Sequence, residues 1–262
     1  MQLAYETILF LMAAAFVAGF IDAMAGGGGL ITLPALLAAG VPPVAALGTN
    51  KLQASFGTAT AFATFARAGH VDLRRFALPT AAAFAGSAAG AFTVQQIDAT
   101  FLSAFIPLLL VAMALYFLFG PRMGEEDRHT LIGSAGLFAV AAAIGFYDGF
   151  FGPGTGSFFT TALVALVGLG LVRAVAHTKL LNLASNLAGL LAMVAGGHVL
   201  WLLGFAMAAA SVAGGKAGAH AAIRFGGRAV RPLLVLMCLG LTAKLLLDPD
   251  NPARAALAGL IG

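Results

Sequence analysis

The chain has 262 residues, of which 61% are hydrophobic and only 9% are charged. A soluble domain carries roughly 25% charged residues, so the composition excludes an ordinary water-soluble domain and predicts an all-α integral membrane protein. The formal net charge of +4 does not indicate a nucleic-acid partner, because the arginines lie at the ends of apolar stretches, where cytoplasmic loops normally collect them.

The first half begins with a long apolar stretch, which is followed by a glycine break, one short apolar stretch and three more long ones. These segments span residues 5–24, 30–40, 44–66, 75–95 and 99–119. A spanning helix needs about 20 residues, whereas the short segment reaches only about 17 Å as a helix at 1.5 Å per residue. Extended chain through the glycine run adds roughly 16 Å, so a broken helix can complete one crossing.

The second half repeats this order, with segments at residues 130–150, 157–170, 173–196, 199–224 and 229–247. Three landmarks recur in the same order: GFIDAMAGGGG at 19–29 returns as GFYDGFFGPGTG at 145–156, TNKL at 49–52 as HTKL at 177–180, and GHV at 69–71 as GHV at 197–199. Internal repeats of this kind are common in secondary transporters. We therefore predict two membrane repeats of about five segments each, residues 1–124 and 125–262.

The arginines indicate how the repeats are oriented. The gap after the third segment of the first half carries Arg67, Arg74 and Arg75, and its counterpart around residues 196–198 carries none. Conversely, the gap at residues 95–98 has no arginine, and its counterpart has Arg224, Arg228 and Arg231. If basic loops are cytoplasmic, equivalent loops lie on opposite sides, which predicts inverted repeats with both termini outside. The alternative is eight spans in parallel repeats, with the short segments as re-entrant hairpins.

The two glycine breaks are the first candidate for a functional site. Non-helical backbone at membrane depth is tolerated only where protein or a water-filled cavity satisfies it, and the helix that follows directs free N–H groups and a positive dipole end at that place. We predict an anion site there, formed by Gly26, Gly27, Gly28, Gly29, Gly152, Gly154, Thr155 and Gly156. The alternative is that these glycines only let helices pack closely. Neither break fits a nucleotide-binding loop, so no cofactor is expected.

Charged groups within spans are costly in lipid and are therefore functional candidates. Asp22 and Asp148 occupy equivalent positions before the two breaks, where they could carry a coupling proton or brace the broken helix. Lys51 and Lys179 also match, and their positive charge suits an anion path, although a lysine can also snorkel to the headgroups. If these lysines offset the substrate charge, membrane voltage alone could drive an anion outward.

The helices that carry the lysines are also unusually polar. We predict that they line the cavity with Thr49, Asn50, Gln53, His177, Thr178, Asn182, Ser185 and Asn186, and we assign His177 to ion coupling or helix bracing. The alternative is hydrogen bonding between helices. The sequence contains no metal-binding or nucleophile motif such as HExxH, GxSxG or a Cys/His cluster, so we predict neither a metal site nor an enzyme.

The duplicated GFxDxxxGxGGG-like segment, the following LITLPALLAAGVPP and the stretch from Ala46 to Lys51 together resemble the TauE/SafE sulfite exporter family of bacterial and archaeal permeases. The resemblance covers nearly the whole chain and implies a multi-pass transporter in a bacterial inner membrane, surrounded by lipid and carrying a small anion such as sulfite or an organosulfonate. Pro153 and Thr155 depart from the glycine run of the first copy. An anion channel, a membrane-embedded assembly protein and a homo-oligomer stay open alternatives.

Overall fold

The computed structural model describes residues 4–98 and 129–225, with a few positions between 101 and 112. Within these residues the fold is entirely helical, which confirms the predicted all-α class. The helices are α1 (Tyr5–Ala25), α2 (Gly29–Ala38), α3 (Pro43–Arg67), α4 (Leu73–Val94), α5 (Ser134–Phe150), α6 (Thr155–Ala165), α7 (Leu171–Ala195) and α8 (Trp201–Phe225). The predicted segment 229–247, most of the segment 99–119, and the arginines at 228 and 231 lie outside the described residues.

Four of the described helices, α1, α4, α7 and α8, are long and apolar enough to cross a membrane. Helix α3 has 25 residues but is more polar, and its buried side includes Thr49, Asn50 and Lys51. Helices α2 and α6 have 10 and 11 residues and are too short to span, as the sequence predicts. The chain is therefore a multi-pass membrane protein.

The side chains are distributed as a bilayer requires. Large apolar residues point outward, such as Leu202, which is 86% exposed, and Leu191, which is 61% exposed. Lys51 and Lys179, in contrast, are fully enclosed. Since lipid tails favour apolar contact and penalise charge, the outward face suits lipid and the polar groups lie in the protein interior.

Small residues let the two halves pack tightly against each other. Helix α1 packs on α8 and α4 packs on α5. A Cβ atom on Gly214 would lie 2.0 Å from the carbonyl oxygen of Phe16, and one on Gly86 would lie 2.2 Å from that of Ala142. Glycines four residues apart, which repeat this contact at positions 90 and 218, are a frequent basis of close helix packing in membranes. The contact between α1 and the second half is thus matched by one between α5 and the first half.

The equivalent helices α3 and α7 run antiparallel. Lys51 of α3 donates a hydrogen bond to Asn186 of α7, whereas Gly48, earlier in α3, meets Met193, later in α7. Helix α8 runs in the same direction as both α1 and α3. Along α1, Phe16 meets Gly214 and Phe20 meets Gly218. Along α3, Leu52 meets Gly204 and Gly57 meets Ser211. Because α1 and α3 run in the same direction, the segment between them returns across the protein. These registers are the ones expected of inverted repeats, whose order stays a prediction.

The charges of the helix ends are separated between the two faces of the protein. The end of α3, the starts of α4 and α7 and the end of α8 meet at one face, which carries Arg67, Arg74, Arg75, Arg173 and Arg224. At the opposite face, the start of α1 has Glu6, and Asp98 follows α4. By the positive-inside rule, we assign the arginine face to the cytoplasm.

This sidedness can be measured by cysteine labelling in a Cys238→Ala background, since Cys238 is the single cysteine of the chain. Ala68 and Gln96 are both exposed loop residues, at the arginine face and the opposite face respectively. We expect a membrane-impermeant maleimide to label Gln96→Cys in intact cells, and Ala68→Cys only after permeabilisation. Labelling of Ala68→Cys in intact cells would show that the assigned orientation is wrong.

Candidate functional site

The two glycine breaks cross each other in direct contact. Gly26 has φ +73°, in the left-handed region that favours glycine. A Cβ atom on Gly26 would lie 2.2 Å from the carbonyl carbon of Gly156, and one on Gly156 would lie 2.5 Å from the Cα of Gly26. These two glycines therefore serve close packing of the breaks, which is the alternative that the sequence left open.

Ser157, at the start of α6, satisfies the backbone at this crossing. Its hydroxyl donates to the carbonyl oxygen of Ala25 at 2.9 Å and also contacts that of Gly26. The last carbonyls of α1 have no intrahelical partner, so this serine replaces the bonds that the break removes. Sequence reasoning missed this residue, although a hydroxyl directly after the second glycine run is its signal.

A cavity lies beside the crossing and is lined by both halves of the chain. The candidate residues from the sequence that line this cavity are Asp22, Gly27, Gly28, Gly29, Asn50, Gln53, Asp148, Gly152, Gly154, Thr155, Gly156, Asn182 and Asn186. Two more polar residues, Thr58 and Ser211, also line it and were not predicted. The first residues of α2 and α6 border the cavity, so the positive ends of two helix dipoles face one space. Such a space favours an anion.

Asp22 both braces its break and forms an ion pair. Its Oδ1 accepts the backbone N–H of Gly27 at 3.2 Å, and its Oδ2 lies 2.9 Å from Lys179 Nζ. Lys179 also donates to the carbonyl oxygen of Asp22. Asp22 thus holds the turn between α1 and α2 in place and also links it to α7 in the second half.

Asp148 forms the equivalent pair with the other lysine. Its Oδ1 lies 2.8 Å from Lys51 Nζ, which also donates to Asn186 Oδ1 at 3.3 Å. Lys51 and Lys179 are 2% and 0% exposed, so neither snorkels to the headgroups. Each lysine is balanced by an aspartate from the other half, so neither offers the unbalanced positive charge that the sequence suggested.

The two breaks resume helix at equivalent places. Gly28 caps α2 and Gly154 caps α6, and each is the sixth residue after the preceding aspartate. The carbonyl oxygen of Gly28 accepts the N–H of Ile31 at 3.0 Å, and that of Gly154 accepts the N–H of Ser157 at 2.9 Å. The two aspartates differ in their partners, because Asp148 Oδ2 has no hydrogen-bond partner among the described residues.

Several predicted residues hold helices together and do not line the cavity. Thr178 bonds Thr160 at 3.1 Å, and Thr49 accepts the N–H of Leu200 at 3.1 Å. Asn50 has two roles. It lines the cavity, and its Oδ1 accepts a hydrogen bond from the Thr32 hydroxyl of α2 at 2.5 Å. Hydrogen bonding between segments of the bundle is thus the role of Thr49 and Thr178.

His177 lies at the arginine face, away from the cavity. Its Nε2 accepts the N–H of Asp72 at 2.9 Å, and its Nδ1 lies 2.7 Å from the carbonyl oxygen of Arg173. Its ring packs on Phe76 with centroids 4.0 Å apart. His177 therefore braces α7 against the start of α4.

The carboxylate of Asp72, the residue that caps α4, is exposed and accepts the backbone N–H of Arg75. This hydrogen bond holds the pKa of Asp72 below its usual range.

No group of three or more His, Cys, Asp or Glu side chains that could hold a metal occurs in the part of the chain that the structure describes. The polar groups at the cavity are amides, hydroxyls and the two carboxylates already paired with lysines. Such a site can bind and release an ion without covalent chemistry.

The chain has close relatives among known membrane proteins. A family described as sulfite exporter TauE/SafE matches residues 11–245. A probable membrane transporter protein of Sinorhizobium, ORF9, is 44% identical over 255 residues, 97% of each chain. One of Haemophilus influenzae is 45% identical over 250 residues, 95% of this chain and 98% of its own length.

A further relative is the probable membrane transporter protein YfcA of Escherichia coli K12, which is 44% identical over 242 residues, 92% of this chain and 89% of its own length. No solved structure matches the chain. These relatives are bacterial transporters and not enzymes, in agreement with the duplicated glycine breaks and the apolar helices. The chain belongs to the sulfite exporter TauE/SafE family and is a multi-pass transporter of the bacterial inner membrane.

Proposed function

We propose that this transporter carries a small oxyanion, such as sulfite or an organosulfonate, and binds it in the cavity between the two glycine breaks. The observation that carries the proposal is the convergence of two short helices, one from each half, on one cavity lined by amides, hydroxyls and carboxylates. Backbone N–H groups at helix starts bind oxyanions without requiring a charged side chain. The family description names sulfite, which fits this chemistry.

A carrier fits the geometry better than a channel does. The breaks touch backbone to backbone at Gly26 and Gly156, which closes the path beside the cavity. A carrier exposes its site to one side at a time, and in inverted-repeat transporters one repeat moves against the other around that site. The Lys51–Asp148 and Lys179–Asp22 pairs join residues 1–124 to residues 125–262, so they lie where such a movement would act.

Flux into proteoliposomes tests this proposal. With purified protein reconstituted into liposomes, we expect saturable uptake of radiolabelled sulfite, inhibited by an organosulfonate and accelerated by unlabelled sulfite on the opposite side. Acceleration from the opposite side is specific to a carrier. Flux that does not saturate and is accompanied by ionic current would instead indicate a channel, and identical flux in protein-free liposomes would refute anion transport of this class.

A further inference from the structure

Three buried oxygen atoms at the cavity have no hydrogen-bond partner among the described residues. They are Gln53 Oε1, Asp148 Oδ2 and Asn182 Oδ1. All three side chains line the cavity, and the residues are 3%, 2% and 4% exposed. A buried acceptor that stays unpaired costs about 1–3 kcal/mol, so three at one cavity indicate that water or a bound ion occupies the space beside them.

The unpaired atoms are all acceptors, so the missing group is a cation or a hydrogen-bond donor. The amide of Gln53 is oriented by its Nε2, which donates to Asn50 Oδ1 at 2.9 Å, and this leaves the oxygen of Gln53 free. Asp148 uses only Oδ1 for Lys51. A fully deprotonated oxyanion has no hydrogen to donate, so it does not satisfy these oxygens.

Charge balance favours a cation whenever an anion is bound. The pairs Lys51–Asp148 and Lys179–Asp22 cancel, so a bound monoanion alone would leave one net negative charge inside the membrane. Uncompensated charge at this depth is costly. A monovalent cation that binds together with a monoanion restores neutrality.

We infer that Gln53, Asp148 and Asn182 form a sodium site, and that sodium accompanies the anion through the transporter. Carboxylate and amide oxygens are the ligands that hard cations prefer, and broken helices coordinate sodium in other secondary transporters. A proton on Asp148 Oδ2 is a poorer match, because it can be donated to only one of the other two oxygens, whereas a metal ion binds several oxygens at once. The coupling role rests on the proposed function; the binding site does not.

The test is the melting temperature of the purified protein in detergent, without any anion substrate, as sodium chloride replaces choline chloride at constant ionic strength. A ligand that binds only the folded state stabilises it by RT ln(1 + [L]/Kd), so the melting temperature begins to rise as the sodium concentration passes Kd. We expect sodium to raise the melting temperature of the wild type. In Asn182→Leu, which removes one oxygen, we expect at least about tenfold more sodium to be needed for the same rise, equivalent to about 1.4 kcal/mol.

Two variants act as controls. Asn182→Asp keeps an oxygen at the same position and should retain the sodium response. Thr60→Val changes a hydroxyl on the same helix as Gln53 but outside the cavity and should also retain it. A wild type that sodium stabilises no better than choline, or an Asn182→Leu variant that responds to the same sodium concentrations as the wild type, would overturn the assignment.

Two further outcomes separate the alternatives. Stabilisation by low pH in choline alone, lost in Asn182→Leu, would assign the site to a proton and overturn the sodium proposal. A sodium response in a protein that shows no anion flux would refute the proposed function and leave the sodium site standing. Sodium-independent anion flux would refute the coupling.

Discussion

Replacing Lys51 with methionine should destabilise the protein by about 3–5 kcal/mol, because it leaves the carboxylate of Asp148 buried without its counter-charge. Asp148 has no other charged partner among the described residues, and its second oxygen is already unpaired. The double variant Lys51→Met with Asp148→Asn should recover most of the loss, because it removes both charges. The measurement is the melting temperature of each purified variant, in a double-mutant cycle.

The exposed Lys216 provides the control, since its replacement by methionine should change the stability by no more than about 0.5 kcal/mol. Lys179→Met should cost less than Lys51→Met, because Asp22 has a 19% exposed side chain and also accepts a backbone N–H. If Lys51→Met melts at the wild-type temperature, the buried pair does not stabilise the fold.

Gly26→Ala should abolish anion flux while the protein still inserts into the membrane. The added methyl group would lie 2.2 Å from the carbonyl carbon of Gly156, and alanine is strained at φ +73°. The breaks must therefore separate, which deforms the cavity that they border. We expect flux in proteoliposomes to fall at least about tenfold, since a displacement of about 1 Å in a site can cost far more than that in rate.

Gly133→Ala is the matched control, because nothing lies within 4 Å of a Cβ atom there and its φ is −77°. It should transport at the wild-type rate. Normal flux in Gly26→Ala, at equal amounts of inserted protein, would mean that the contact between the breaks is not needed for transport.

The sequence was sufficient to predict the described helices and both breaks, because runs of apolar residues and of glycine report directly on membrane burial and backbone freedom. It also identified the four charges of the two ion pairs by their equivalent positions. It could not pair them, since Lys51 meets Asp148 only through packing between the halves. Taken alone, equivalence suggested two free lysines and an anion driven by voltage, whereas the structure has two neutral pairs.

The sequence also could not separate cavity-lining residues from residues between helices. Thr49 and Asn50 are neighbours on α3, but Thr49 bonds the backbone of Leu200 and only Asn50 reaches the cavity. Which side of a buried helix faces water depends on its neighbours, and hydropathy does not report it.

The central claim is that the anion binds between the two glycine breaks, and anomalous diffraction tests it most directly. Selenite has the shape and charge of sulfite and contains a strong anomalous scatterer. In crystals of the protein grown with sodium and selenite, we expect an anomalous peak in the cavity between residues 27–29 and 154–156. A peak found only elsewhere, with this cavity empty at saturating selenite, would contradict the account.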